Sequence, residues 1–282
     1  MAPILETRNL SYVYNKDHVA LQDVNIAIEA GKVTAILGGN GAGKSTLFLN
    51  LNGILTPIRG EVLLDGQPVK YTSKGIRELR RRVGIVFQDP NDQLFSGDVI
   101  DDIAFGPLNL GLPPAKVREL VAEVVAQTGI APYVNRPTHA LSFGQKKRVA
   151  IAGVLAMQPD VIILDEPTAG LDPRGVSDIL QLLVKLQVEK ALTIVIATHD
   201  IDLVPLYCDY AYVLDRGRVV LQGTGKDLVT QAQALRRHAL RLPRIAHLME
   251  ILQKEDHLNV NTKAATISAA RKTIRKLVIN YE

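Results

Sequence analysis

The chain has 282 residues, 47% of them hydrophobic, with a formal net charge of +4. That length suits about two structural units of ~150 residues. No apolar run approaches the ~18 residues of a membrane span, and the N-terminus has no basic stretch leading into an apolar one, so no signal peptide is expected.

Three strand-like segments open the chain, Ile4–Tyr14, Val24–Ile28 and Val33–Leu37. The third runs into Gly38, Gly39, Asn40, Gly41, Ala42, Gly43, Lys44, Ser45 and Thr46, which satisfy the phosphate-binding pattern G-x-x-x-x-G-K-[ST]. Helix-forming residues follow from Lys44 to Asn52, so the strand, glycine loop and helix stand in the order the motif requires. Glycines without a Cβ let the backbone come close to a ligand. Amides at a helix N-terminus then face an anion. Lys44 adds a point charge for the outer phosphates, and Ser45 a hydroxyl for Mg²⁺.

Gly60–Gly66 reads as a strand closing in an Asp-Gly turn, and a basic helix over about Lys74–Arg82 leads into a strand at Val83–Phe87. Residues 98–156 are mostly helical, broken by Pro107, Pro113-Pro114, Pro132 and Pro137. Val161–Leu164 and Thr193–Ala197 are apolar but for Thr193 and rich in β-branched residues, which suits interior strands of a parallel sheet covered on both faces. A helix over about Pro173–Glu189 joins them as a βαβ unit. Asp165, at the end of the first of these strands, is placed to hold Mg²⁺, and Glu166 to polarise an attacking water as general base. The single cysteine, Cys208, excludes an internal disulfide and reads as a buried structural thiol. Tyr210–Leu214 and Arg218–Leu221 read as a closing hairpin.

The tail differs in charge. Residues 231–282 hold 10 Lys/Arg and 4 Asp/Glu, leaving the rest at −2, so the main body has no nucleic-acid footprint. Ile267, Ala270, Ile274, Leu277 and Tyr281 form a short heptad seam with Arg271, Lys272, Arg275 and Lys276 on the other face. A packing or dimer helix, a membrane-surface contact and a solvated basic face all suit that pattern.

The ordered set of motifs resembles the ATP-binding subunits of ABC transporters across residues 4–225. Leu141, Ser142, Phe143, Gly144 and Gln145 resemble that family's signature, Asp172 in Ala169–Asp172 its D-loop aspartate, His199 its switch histidine, Gln88 its Q-loop glutamine, and Tyr14 its adenine-stacking aromatic. The competing Tyr12 is expected on the opposite side of its strand.

The resemblance implies a P-loop NTPase fold of class α/β, with a mostly parallel core sheet, an N-terminal antiparallel β subdomain, a helical signature subdomain over about 98–156 and a C-terminal helical extension. The nucleotide-binding domain would span 1–230 and the basic extension 231–282. ATP and Mg²⁺ are the implied ligands, with Ser45, Gln88 and Asp165 at the metal and Glu166, His199 and Gln88 catalytic. The family's signature completes the site of a second copy in a head-to-tail dimer, with Asp172 communicating across the interface and His199 contacting the γ-phosphate. Phe143 replaces the signature's first glycine and is expected to turn outward. Gly39 replaces a proline often found in the phosphate loop, removing no phosphate ligand.

Gln88–Phe95 with Ala104–Pro107 resembles the ATPases of energy-coupling-factor importers. Leu141–Arg148, Ala150–Gly153 and Leu240–Pro243 look most like the CbiO ATPases of cobalt importers, with nickel relatives close. The implied partners are a transmembrane coupling protein docking beside Gln88–Phe95 and a membrane-embedded substrate-binding protein, with no nucleic acid. The implied location is the cytoplasmic face of the cell membrane in a bacterial-type cell. The six histidines show no i, i+3 or i+4 pairing, so the transported ion is not expected to be liganded here. Vitamin uptake by the same engine stays open, as does a soluble ABC clamp in DNA repair or translation, although the chain has one cassette and no long insertion.

Overall fold

A computed structural model describes residues 3–15, 18–238 and 240–279. Its first half contains β1 (Pro3–Tyr14), β2 (His18–Glu29), β3 (Val33–Leu37), α1 (Lys44–Leu51), β4 (Arg59–Leu64), β5 (Gln67–Pro68), α2 (Ser73–Arg82), β6 (Val83–Val86), α3 (Val99–Asn109) and α4 (Pro114–Thr128). There follow α5 (Phe143–Leu155), β7 (Val161–Asp165), α6 (Pro173–Lys190), β8 (Thr193–Thr198), α7 (Val204–Tyr207), β9 (Tyr210–Asp215) and β10 (Arg218–Gly223). The chain ends in α8 (Gly225–Thr230), α9 (Ala232–Arg237), α10 (Arg244–Lys254) and α11 (Ile267–Ile279).

The strands form two sheets, an antiparallel one ordered β2-β1-β4-β5 and a six-stranded one ordered β10-β9-β3-β8-β7-β6. In the second, β9, β3, β8, β7 and β6 pair in parallel and β10 joins β9 antiparallel. Its interior strands are apolar at nearly every position because both faces are covered. In β7, Ile162 and Leu164 pack with α5 and α6, while Val161 and Ile163 face α1 and the antiparallel sheet. This alternation follows from the two-residue pleat. The Tyr212 hydroxyl stitches the sheets together, donating to the Ala27 carbonyl and accepting from the Ala27 amide, each at 2.9 Å. The parallel order sets the carboxyl ends of β3, β7 and β8 side by side, where an open α/β sheet binds its ligand.

Several elements depart from the sequence expectation. The second strand begins at His18, because it pairs with β1 down to Tyr14↔His18 despite the polar Gln22 and Asp23. Pro107 does not break its helix. It is buried inside the final turn of α3, where its missing N–H deprives one carbonyl, and Leu110 N and Leu112 N bond beyond it. Pro114, by contrast, opens α4 at a position that tolerates proline. Tyr12 and Tyr14 share a side of β1, with ring centroids 4.9 Å apart edge to face. Residues two apart in a strand point the same way, so the expectation of opposite sides was mistaken.

The tail is joined to the main body. Leu235, Leu240 and Leu242 pack with Ala35, Leu37, Ala211 and Val213. Beyond them, Met249, Val260, Ala264 and Ala270 make a small core of their own. The heptad seam divides: Ala270 is buried and Leu277 lies against that core, but Ile267 and Ile274 are 74% and 38% exposed. Tyr281 lies outside the described residues. Glu250 ties α10 to α9 through Arg236 and pairs with Lys254 one turn on in its own helix, and these two, in that order of effect, pull its carboxyl down to about 2.

One glycine fixes the junction of the first sheet. Gly60 has φ +76°, and a Cβ there would sit 2.3 Å from the carbonyl oxygens of both Arg8 and Asn9. Gly60→Val is expected to lose at least about 2 kcal/mol through strain and strand separation. Urea unfolding checks this; a midpoint matching wild type would show that β1 and β4 can part freely.

Candidate functional site

The phosphate loop leaves β3 at Gly38 and enters α1 at Lys44. Gly43, which caps α1, has φ +104°, and a Cβ there would lie 2.7 Å from the Ala20 carbonyl oxygen. Gly41 has φ +76°, with open space where a Cβ would be, so its backbone stays approachable. Hydrogen bonds from Ala42 N to Gly39 O (3.2 Å) and from Gly217 N to Ala42 O (2.9 Å) hold the loop. The Lys44 ammonium donates to the carbonyls of Gly38 (2.8 Å) and Gly39 (3.2 Å) and lies 3.6 Å from Glu166 Oε1.

The acidic half of the site comes from the end of β7. Ser45 Oγ donates to Asp165 Oδ2 at 2.6 Å. Burial pushes the Asp165 carboxyl up, against the Ser45 hydrogen bond that lowers it, and neighbouring Glu166 raises it further. Glu166 sits in the left-handed region at φ 45° and bonds its amide to Ala197 O on β8. Its Oε1 is 3.0 Å from His199 Nδ1, while its buried Oε2 has no hydrogen-bond partner among the described residues. His199 follows β8 directly. The segment after it is pinned by the tail, Arg241 pairing with Asp200 (3.1 Å) and Asp202 (2.8 Å).

Gly39 to Thr46, Gln88, Asp165, Glu166 and His199 line one cleft of about 540 Å³. Two expected residues stand behind that wall. Gly38 packs tightly, since a Cβ on it would lie 2.4 Å from the Leu214 carbonyl oxygen. Tyr14 stacks on His18, with centroids 6.3 Å apart, and its hydroxyl accepts from Thr46 Oγ1 at 3.4 Å. The hairpin register sets His18 opposite Tyr14, so His18, Val19 and Ala20 form the cleft wall there. Arg216 and Gly217, from the β9–β10 turn, complete the lining. Sequence reasoning missed these residues; the only signal was the Asp-Arg-Gly turn, and β9 reaches the loop through its pairing with β3.

The signature lies elsewhere. Ser142 caps α5 in a reciprocal capping box with Gln145, so the helix starts at Phe143. Phe143 is half-buried and turns onto its own D-loop rather than outward, its Cε1 2.9 Å from where a Gly170 Cβ would stand. The crowding of Gly170 by an aromatic is possible because that glycine has no side chain. Asp172 caps α6, accepting from Gly175 N at 2.6 Å. Ser142 to Gln145 and Asp172 line a second groove of about 760 Å³, whose walls share no residue with the first cleft. The Cys208 thiol is pushed up to about 12, by burial and then by Asp209.

The ABC transporter family profile matches residues 21–169. An energy-coupling factor transporter ATP-binding protein, EcfA2 of Clostridium perfringens, is 55% identical over 271 residues, covering 96% of this chain and 95% of that protein. The chain belongs to the energy-coupling-factor type of ABC transporter ATP-binding subunits. It is therefore an ATP-binding ATPase. The solved structure of cbiO1 from Clostridium perfringens, described as part of the transporter complex cbiONQ, is 56% identical, with a TM-score of 0.77 over 89% of this chain and all of that one. The cassette MJ0796, solved as a dimer in a post-hydrolysis state with ADP and Pi, is 28% identical, with a TM-score of 0.70 over 78% of this chain and 98% of that one. Among the described residues, no helix of this ABC ATPase is long and apolar enough to cross a membrane.

The cleft fits an ATP·Mg²⁺ pair on its own chemistry. The loop amides and Lys44 suit phosphate oxygens, and Gly41 leaves room for them. Ser45 Oγ and Asp165 Oδ2 present two hard oxygen donors side by side.

Proposed function

We propose that this subunit hydrolyses ATP at a composite site built by two copies and thereby drives a transition-metal importer. The observation that carries the reading is the division of the motifs into two places. Phosphate loop, Asp165, Glu166, His199 and Gln88 share one cleft, while Ser142, Gly144 and Asp172 line another. A head-to-tail pair would bring the second groove of one copy over the cleft of the other, and the dimeric cassette of MJ0796 supports such pairing.

Each residue then has a role. Amides from Gly39 to Thr46, with Lys44, hold the phosphates. His18, backed by the Tyr14 ring stacked on it, offers an aromatic wall for adenine. Ser45 and Asp165 hold Mg²⁺, directly or through water, with Gln88 beside them. Held by these residues, Mg²⁺ would supply positive charge to offset that of the phosphates. His199 holds Glu166 Oε1 at 3.0 Å at the cleft, where the carboxylate serves as the proton acceptor for the attacking water. His199 orients that carboxylate and reaches toward the γ-phosphate. Asp172 carries the state of one site to the other.

Leu94, Phe95 and Phe105 line a groove of about 670 Å³ just beyond the Q-loop, with Phe95 64% exposed. A helix of a transmembrane coupling protein fits there, holding the subunit at the cytoplasmic face of the membrane beside a substrate-binding membrane protein. Residues 1–230 are the nucleotide-binding domain, and 231–282 an extension that contributes to pairing through the exposed Ile267 and Ile274. Likeness to a cbiONQ subunit supports cobalt, or nickel, as cargo.

Reconstitution with the cognate membrane proteins, followed by radioactive Co²⁺ and Ni²⁺ uptake, tests the cargo. ATP-dependent metal uptake is the expected result. Vitamin uptake without metal uptake would transfer the engine to the vitamin branch of these importers.

A further inference from the structure

The most deeply buried charged side chain among the described residues is not in the nucleotide cleft. Lys147, on α5, is 2% exposed. Its ammonium donates to three backbone carbonyls, those of Glu166 (2.9 Å), Pro167 (3.0 Å) and Ala169 (3.0 Å). An ammonium has three N–H bonds, so none is left over. The carbonyls converge because the chain turns sharply there. Glu166 is left-handed at φ 45°, Ala169 N bonds back to Glu166 O at 3.1 Å, and Gly170 has φ +75°.

A buried charge without partners would be costly, and here the three carbonyls favour the charged form. Burial lowers the ammonium to about 8, while Glu166, Asp89 and Asp165 act to raise it. Phe143 covers the arrangement: Lys147 Nζ lies 5.4 Å from its ring centroid, and the same ring packs on Gly170.

We propose that Lys147 is a positioning residue for ATP hydrolysis, its ammonium clamping the Glu166–Ala169 turn to the signature helix beneath Phe143. The inference rests on the reading of Glu166 as the base. It goes further in tying together two parts that serve different nucleotides. Ser142 and Gly144 at the start of α5 meet the partner's ATP, whereas Glu166 acts on the chain's own. Any shift of α5 as the dimer closes is transmitted by the clamp to the Glu166 carboxylate and to the D-loop.

The test compares Lys147→Met, which keeps an apolar stem and removes all three donors, with Lys147→Gln, which keeps two donors without charge. Amide exchange at Ala169 and Leu171 is expected to accelerate about 10-fold or more in Lys147→Met, since the turn loses its anchor. Its kcat is expected to fall by about 10- to 100-fold with KM for ATP within about 3-fold, because misplacement of a catalytic group costs rate rather than binding. Lys147→Gln should lie between, and carries the same measurements should Lys147→Met not fold. In a Glu166→Gln background, Lys147→Met should lower residual turnover by less than about 3-fold, because the two act as a unit. Unchanged exchange, a kcat within about 2-fold of wild type, or losses that simply multiply would each overturn the proposal. If Glu166→Gln alone kept normal turnover, the base assignment would fail; the exchange measurement would still judge the clamp.

Discussion

Glu166→Gln is expected to bind ATP normally, accumulate a closed dimer and lose roughly two to four orders of magnitude in turnover, the range that a positioned general base supplies. The substitution changes charge more than shape. The amide oxygen can still accept from His199 Nδ1, now 3.0 Å from Oε1, and the phosphate loop keeps its own hydrogen bonds. What is lost is the carboxylate's capacity to accept a proton from water. A negative charge 3.6 Å from Lys44 is lost as well, which strengthens that ammonium's hold on phosphate. Binding should therefore survive or tighten while chemistry stops. Single-turnover hydrolysis, with light scattering to follow pairing, separates the two. Turnover near wild type would remove Glu166 from the role of base.

The site was legible in the chain wherever a motif and its flanking strand constrain each other. Val33–Leu37 before the glycines, and Val161–Leu164 before Asp165 and Glu166, are buried at every position and apolar at all but Thr34, because the sheet is covered on both sides. An acid at the end of such a strand has few other uses. Local sequence failed where pairing or packing overrode it. His18 enters the cleft wall through hairpin register, and Arg216 through the β3–β9 pairing, neither of which a local pattern encodes. Lys147 was hidden in a Lys-Lys-Arg run that reads as a solvated face. Its place on the helix was the available signal, because Lys147, Ala150, Ile151 and Val154 share the buried side of α5. The tail seam serves two uses that its 3–4 spacing does not tell apart. Ala270 and Leu277 pack in the small core with α10, so among the described residues two isoleucines are left for any partner.

Mixing two inactive variants should restore activity if the pocket is shared between copies. Lys44→Ala removes the ammonium that bridges the Gly38 and Gly39 carbonyls, disabling the phosphate half of a chain. Gly144→Asp disables the other half by placing a carboxylate where the signature is proposed to meet the partner's phosphates. It should not unfold the chain: a Cβ on Gly144 meets only Leu171 Cδ2 at 3.4 Å, and an acid in the first turn of α5 suits the helix dipole. Each variant alone is expected to lose at least about 100-fold in turnover, the scale of removing one preorganised phosphate contact. In a mixed dimer, one site combines both lesions and the other combines two intact halves. An equal mixture should then recover about a quarter of wild-type activity, since half the dimers are mixed and each holds one good site of two. No recovery, in a sample where both chains elute together as dimers, would mean that Gly144 serves the nucleotide of its own chain.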